Sequence, residues 1–258
     1  MRVGFRGAAA ALSLALSLAG ARPAAARLDV EDRGPVLDCG NFALRVSNAG
    51  ILGNPFFDSG RSLDPSFEFP RNSGQELMHH AELWVGAIDP LGRERVSGGP
   101  LLEWRPTPAP EDSVIKVSAG RLGAVRDFDD DGDGRVDEEI LNGKDDDGDG
   151  RVDEDLGLFS QQLLAADYAD DRPEALLNPE PNGETHVPLH LAVHQEVFGW
   201  SVPGYDGIAG VTFHITNRGS ETLHSLHVGL LCDFDSRLHR DATGHLDDRV
   251  VHRDYRFS

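Results

Sequence analysis

One segment, residues 127–155, constrains this chain more than any other. It reads DFDDDGDGRVDEEILNGKDDDGDGRVDED, and DDDGDGRVDE occurs in it twice, at 129–138 and, 16 residues on, at 145–154. Its 29 residues hold 15 carboxylates against Arg135, Lys144 and Arg151, a net charge of −12 within a chain total of −20. An acidic run is ordinarily a solvated linker, but such a run has no reason to repeat glycine at fixed offsets. Carboxylates this dense repel one another, so the stretch is expected to be extended and mobile until a cation arrives.

Calcium fits the spacing. It is a hard cation that takes six to eight oxygen ligands at flexible geometry, whereas magnesium demands a small octahedral shell and keeps its waters. A short loop supplies enough oxygens only if carboxylates recur at every second residue, with glycine at the sharp turn. Aligned on the glycine, the first copy puts Asp129, Asp131 and Asp133 at loop positions 1, 3 and 5. Gly134 is then at 6, the Arg135 carbonyl at 7 and Asp137 at 9. The second copy repeats this with Asp145, Asp147, Asp149, Gly150, Arg151 and Asp153, and Val136 and Val152 hold position 8 as the apolar contact between paired loops. In these residues the chain resembles EF-hand-type loops, and more closely the tandem loops of thrombospondin type 3 repeats and dockerins. The resemblance covers roughly a tenth of the chain.

Position 12 departs from that pattern. Those families place Glu or Asp there, and this chain has Ile140 and Leu156. The closing ligand is therefore expected from Glu138, Glu139, Glu154 or Asp155, or from the neighbouring copy. A register shifted by two residues would start at Asp127 and end at Glu138, but it places Gly134 at the apolar position. In the second copy the same shift starts at Gly143, which offers no ligand. No amphipathic helix precedes the first copy, which argues against a helix–loop–helix sensor.

The N-terminus reads as an export signal. Arg2 and Arg6 precede an apolar core at 8–21, and Ala24-Ala25-Ala26 supplies an A-x-A cleavage site, with Arg27 as the mature start. The core is too short to span a membrane well. Removal of Arg2, Arg6 and Arg22 takes the net charge to −23. Such a surface disfavours nucleic acid and anionic lipid, because it has no basic stripe to neutralise phosphates. The protein is expected to be secreted, periplasmic or cell-surface.

The rest reads as mainly β, with one or two β-sandwich-like regions around an acidic calcium-loop insertion. The division is a signal at 1–26, an N-terminal β region at 27–125, tandem loops at 126–157, and a C-terminal sandwich-like region at 158–258. Plentiful Gly (29) and Pro (15) favour short strands with turns. Strands are expected at 41–47, 81–88 returning through 93–97, 113–118 and 186–200, with 156–168 readable as helix or strand. A hairpin is expected between 211–216 and 226–234, and 54–75, 100–111 and 176–184 read as loops. LRVSNAG at 44–50 echoes FHITNRG at 213–219, which suggests two related sandwich halves. The flanks look like those of uncharacterised exported bacterial proteins in which sandwich strands surround acidic calcium repeats. Residues 255–258 end inside a strand-like stretch, so a fragment or an incomplete last domain is expected.

Other constellations are weaker. Cys39 and Cys232 could form a disulfide or remain buried thiols; connectivity needs geometry. His186, His190 and His194 share one face of an alternating strand, about 13 Å apart at roughly 3.3 Å per residue, too far to share an ion. Cross-strand pairs such as His190 with His214 could co-ligate zinc, but solvent-facing histidines, with His227 among them, are the simpler reading. Leu191 stands where a zinc-protease H-E-x-x-H motif needs its base, and no G-x-S-x-G elbow, phosphate loop or dinucleotide fingerprint occurs. The residues thus point to a calcium-binding structural or adhesive protein, with a cell-surface protein or glycan as partner and no catalytic motif. The alternative is a calcium-stabilised hydrolase or glycan-binding module using the histidine faces or Trp84, Trp104 and Trp200.

Overall fold

A computed structural model describes residues 35–54, 65–99, 103–107, 113–119, 123–176, 185–234 and 236–238. The expected signal at 1–26, the loop residues 177–184 and the terminal stretch 255–258 lie outside the described residues. The protein is mainly β, and the described residues form three antiparallel sheets and one helical turn, α1 (Pro173–Leu176). The first sheet runs β1 (Val36–Leu37), β2 (Ala43–Arg45), β4 (Phe67–Glu68), β5 (Gln75–Glu76) and β13 (Arg237–Leu238). The second is built on β6 (His80–Ile88), which pairs along its length with β12 (His224–Asp233). Its other edge is shared by β3 (Ile51–Gly53) and β7 (Glu94–Ser97). The third runs β11 (Ala209–Asn217), β10 (Leu191–Gly199), β9 (Gln162–Ala169) and β8 (Ile115–Ser118).

Within the third sheet β9 is buried on both faces, which explains its ambiguous sequence. Leu164, Ala166 and Tyr168 face inward, with Leu164 packing on Leu37, Phe42 and Leu52, and Ala166 and Tyr168 on Leu83 and Val85. Leu163 and Ala165 face the other way, onto Val117, Ala124, Leu141, Leu156 and Phe198. A strand covered on both sides loses its period-2 alternation and reads as a continuous apolar run. Trp104 fills the space between sheets. It is fully buried, its indole N–H donates to the Leu83 carbonyl at 3.0 Å, and its ring meets Tyr168 edge-on at 5.7 Å. Gly50 lies against that ring with φ +69°, and a Cβ there would stand 2.6 Å from Trp104 Cδ1.

The β6–β7 hairpin forms at the expected turn. Asp89 Oδ1 accepts the N–H groups of Leu91 and Arg93, each at 2.9 Å, and Gly92 supplies a positive φ. The expected hairpin between 211–216 and 226–234 does not form. β11 pairs with β10, while β12 crosses to the second sheet and pairs with β6. The echo of 44–50 in 213–219 ends with it, since those strands lie in different sheets and have unrelated partners. Strands from both sides of the acidic insertion share sheets, β6 with β12 and β8 with β9. The insertion therefore joins two neighbouring strands of one sheet. Cys39, half-buried, and Cys232, exposed on β12, are free thiols.

Candidate metal centre

The two acidic copies fold alike. Asp129 accepts from Gly132 N–H at 2.6 Å and Gly134 N–H at 3.0 Å, and Asp145 does the same for Gly148 at 2.6 Å and Gly150 at 2.9 Å. Asp131 and Asp147 each accept from the N–H two residues on, at 3.0 Å, and Asp133 and Asp149 do so at 2.7 Å. The backbone agrees as well: φ is +95° and +96° at Gly134 and Gly150, and +55° and +53° at Asp137 and Asp153. Each first-position aspartate thus gathers its own loop by Asx-type bonds, which curl the chain so that alternate carboxylates face one region.

The copies also exchange groups. Arg135 donates to Asp147 at 2.8 Å and Arg151 to Asp131 at 3.1 Å. Glu139 accepts the Asp146 N–H at 2.8 Å, and its counterpart Asp155 accepts the Asp130 N–H at 3.3 Å. Oxygens of Asp133, Glu138 and Asp147 lie within 4.8 Å of one another, as do those of Asp131, Asp149 and Glu154. Each set draws two residues from one copy and one from the other. Asp129, Asp131 and Asp133 form a further set within the first copy, and Asp131, Glu138 and Asp155 another across both. Of the expected site residues, Asp129, Asp131, Asp133, Glu138, Asp147, Asp149 and Glu154 are brought together in these groups, and Arg135 and Arg151 make side-chain contacts across the copies. Asp137 and Asp153 cap neighbouring N–H groups, those of Asp127 and of Asn142 and Gly143.

This geometry leaves negative charge uncompensated. Asp137 Oδ1, Glu138 Oε2, Glu154 Oε2 and Asp155 Oδ1 are buried without a hydrogen-bond partner. Loss of solvent raises the pKa of Glu138, Glu154 and Asp155, and the surrounding aspartates and Glu139 raise them further against the backbone hydrogen bonds they accept. Orphaned acceptor oxygens are costly unless something positive meets them. All four are carboxylate oxygens, a donor chemistry that suits a hard cation.

Hydrophobic anchors set the loops on the sheet. Leu141 and Leu156 are buried against Val117, Leu163 and Phe198, while Ile140 is half exposed. Leu156 occupies position 12 of the second copy, so the residue that would close the loop instead fixes it to β9. Glu139 and Asp155, at position 11 in both copies, reach across to the other loop. Their matched spacing was the available signal, but their crossing depends on tertiary pairing. Val136 and Val152 stay half exposed, and the polar exchange above links the copies.

The histidine strand differs from expectation. His190 has φ +59° and lies before β10, so the cross-strand partner of His214 is His194, with rings 6.1 Å apart. His186 is buried between Glu103 at 3.1 Å and the Asp170 carbonyl at 3.1 Å, and His194 is mostly buried beside Asp167 at 3.2 Å. Burial opposes their charging, and the adjacent carboxylates outweigh it, leaving both pKa values raised. Neither faces solvent. Trp104 is enclosed and cannot meet a ligand. A polar cleft between the β6–β7 turn and the end of β11 is lined by Arg93, Arg95 and His190, with Asp89 engaged by both arginines.

Comparison with protein-family models, curated proteins and solved structures finds no match to this chain.

Proposed function

We propose that residues 127–155 bind calcium as a tandem pair of loops in a secreted or cell-surface structural or adhesive protein. The observation that carries this reading is the set of buried carboxylate oxygens without partners, shared between two loops of matching conformation. Calcium would satisfy Asp129, Asp131, Asp133, Glu138 and their counterparts in the second copy, and so neutralise a segment built directly onto the third sheet. The metal would act on stability, since Leu141 and Leu156 couple the loops to β8, β9 and β10. Extracellular modules of this kind hold calcium at a Kd around 10⁻⁴–10⁻³ M.

The test is a calcium titration of the chelated mature protein, followed by calorimetry and by unfolding temperature. Saturable binding of about two ions, with stability gained as RT ln(1 + [Ca]/Kd), is expected. Asp129→Ala with Asp145→Ala should remove both responses; a calcium response that survives refutes the register. Surface proteolysis of producing cells, with and without chelator, tests the location.

A further inference from the structure

A second site of different chemistry lies where β6 begins and β12 ends. His79 Nδ1 and His80 Nδ1 are 3.0 Å apart, and Asp233 Oδ2 lies 3.3 Å from the first and 4.0 Å from the second. A triangle with those sides has its centre about 2.0 Å from every corner, which matches zinc–nitrogen and zinc–oxygen bond lengths of about 2.0–2.2 Å. The donors sit on paired backbone. His80 is the strand partner of Asp233, and the His79 N–H donates to the Asp233 carbonyl at 2.9 Å.

Glu82 stands beside one ligand. Its side chain is buried, and its Oε1 stands 2.6 Å from His80 Nε2 while Oε2 accepts the Trp84 indole N–H at 3.1 Å. The Glu82 carboxylate thus lies beside the outer ring nitrogen of His80, while Nδ1 faces His79 and Asp233. Histidines that bind metals are commonly oriented by a carboxylate on the other ring nitrogen. Both histidines are mostly buried and Asp233 is half exposed, which leaves the site open to solvent on one side.

We infer that His79 Nδ1, His80 Nδ1 and Asp233 Oδ2 bind one divalent transition ion of the zinc class, with solvent at the remaining position. Two imidazoles and one carboxylate suit zinc-class ions and not calcium, so this centre is chemically separate from the acidic loops. It would clamp the end of β12 to β6.

The test uses the mature protein in excess calcium, which fills any oxygen-rich site beforehand. Cobalt(II) serves as the probe and zinc as the competitor. One cobalt per chain with the visible absorption of a low-coordinate site, displaced by one zinc, is expected. Asp233→Asn keeps the side-chain shape at an exposed position and should weaken cobalt at least about tenfold, and Glu82→Gln should weaken it by about 10–100-fold. His79→Ala with His80→Ala should abolish the absorption. Absence of cobalt binding, or an affinity unchanged by Asp233→Asn, overturns the assignment whether or not the histidine variants fold.

Discussion

Arg135 in the first acidic loop donates to Asp147 in the second at 2.8 Å. Arg151 returns the contact to Asp131, so each guanidinium stands in for positive charge at the other copy's third position. Both arginine side chains are mostly exposed, and their aspartate partners are nearly enclosed.

That arrangement separates two roles in one residue. Arg135→Ala with Arg151→Ala leaves the position-7 carbonyls intact, so calcium affinity should be unchanged or higher once a competing cation is gone. In chelator the same variant should lose about 0.2–1 kcal/mol per pair. Calorimetry and chelated melting curves check the two halves. A collapse of calcium affinity would mean that the guanidinium groups organise the ligands.

Position 12 offers a contrast between copies. Ile140 is half exposed, so Ile140→Glu should be tolerated and should strengthen calcium binding by the first loop. Leu156 is a core residue, and Leu156→Ala should cost about 2–5 kcal/mol. Leu156→Glu should cost more, because it buries a charge, and any gained ligand should not restore the melting temperature. Equal behaviour of the two glutamate variants would contradict the anchoring role of Leu156.

Asp170 is fully buried and accepts from Leu189 N–H and Ser97 Oγ at 2.7 Å and Leu191 N–H at 2.8 Å. An amide in its place turns a donor toward one of those N–H groups. Asp170→Asn should therefore lose about 1–3 kcal/mol, read as a lower urea midpoint at unchanged slope.

Asp89 supplies a pH dependence. Burial alone would raise it, but N–H groups of Arg93 and Leu91 and the Arg93 guanidinium hold it at about 2, below its ordinary 3.8. The unfolded chain then takes up the proton first as pH falls. The stabilisation from Asp89 is complete above 3.8 and is lost as the pH drops toward 2. The difference in stability between wild type and Asp89→Asn should shrink over that window, and a difference that stays constant would contradict the turn geometry.

Local patterns carried far into this structure, and long-range pairing is where they stopped. The Asp89-Pro90-Leu91-Gly92 turn was legible because its hydrogen bonds are internal to it. The acidic loops were legible because each curls on its own first aspartate. The crossing of Glu139 and Asp155 was not, since either acid could have closed its own loop. His79 and His80 stood adjacent in the sequence, but Asp233 reaches them only through the pairing of β12 with β6. β12 itself misled, because it is exposed throughout and so carries no burial pattern that names a neighbour. The partner of His214 was misplaced because the left-handed backbone at His190 delays β10 until Leu191.

The pairing of β6 with β12 bears on the order of synthesis. Val85 meets Val228 after roughly 140 intervening residues, among them the whole acidic segment. Until those residues have emerged, β6 has one bare edge, flanked by β3 and β7 only on the other. An uncovered strand edge templates pairing with any chain that reaches it. A nascent or truncated product ending before His224 should therefore associate edge to edge, and a chaperone that masks β6 would be needed for longest while the carboxylate-rich segment is being made.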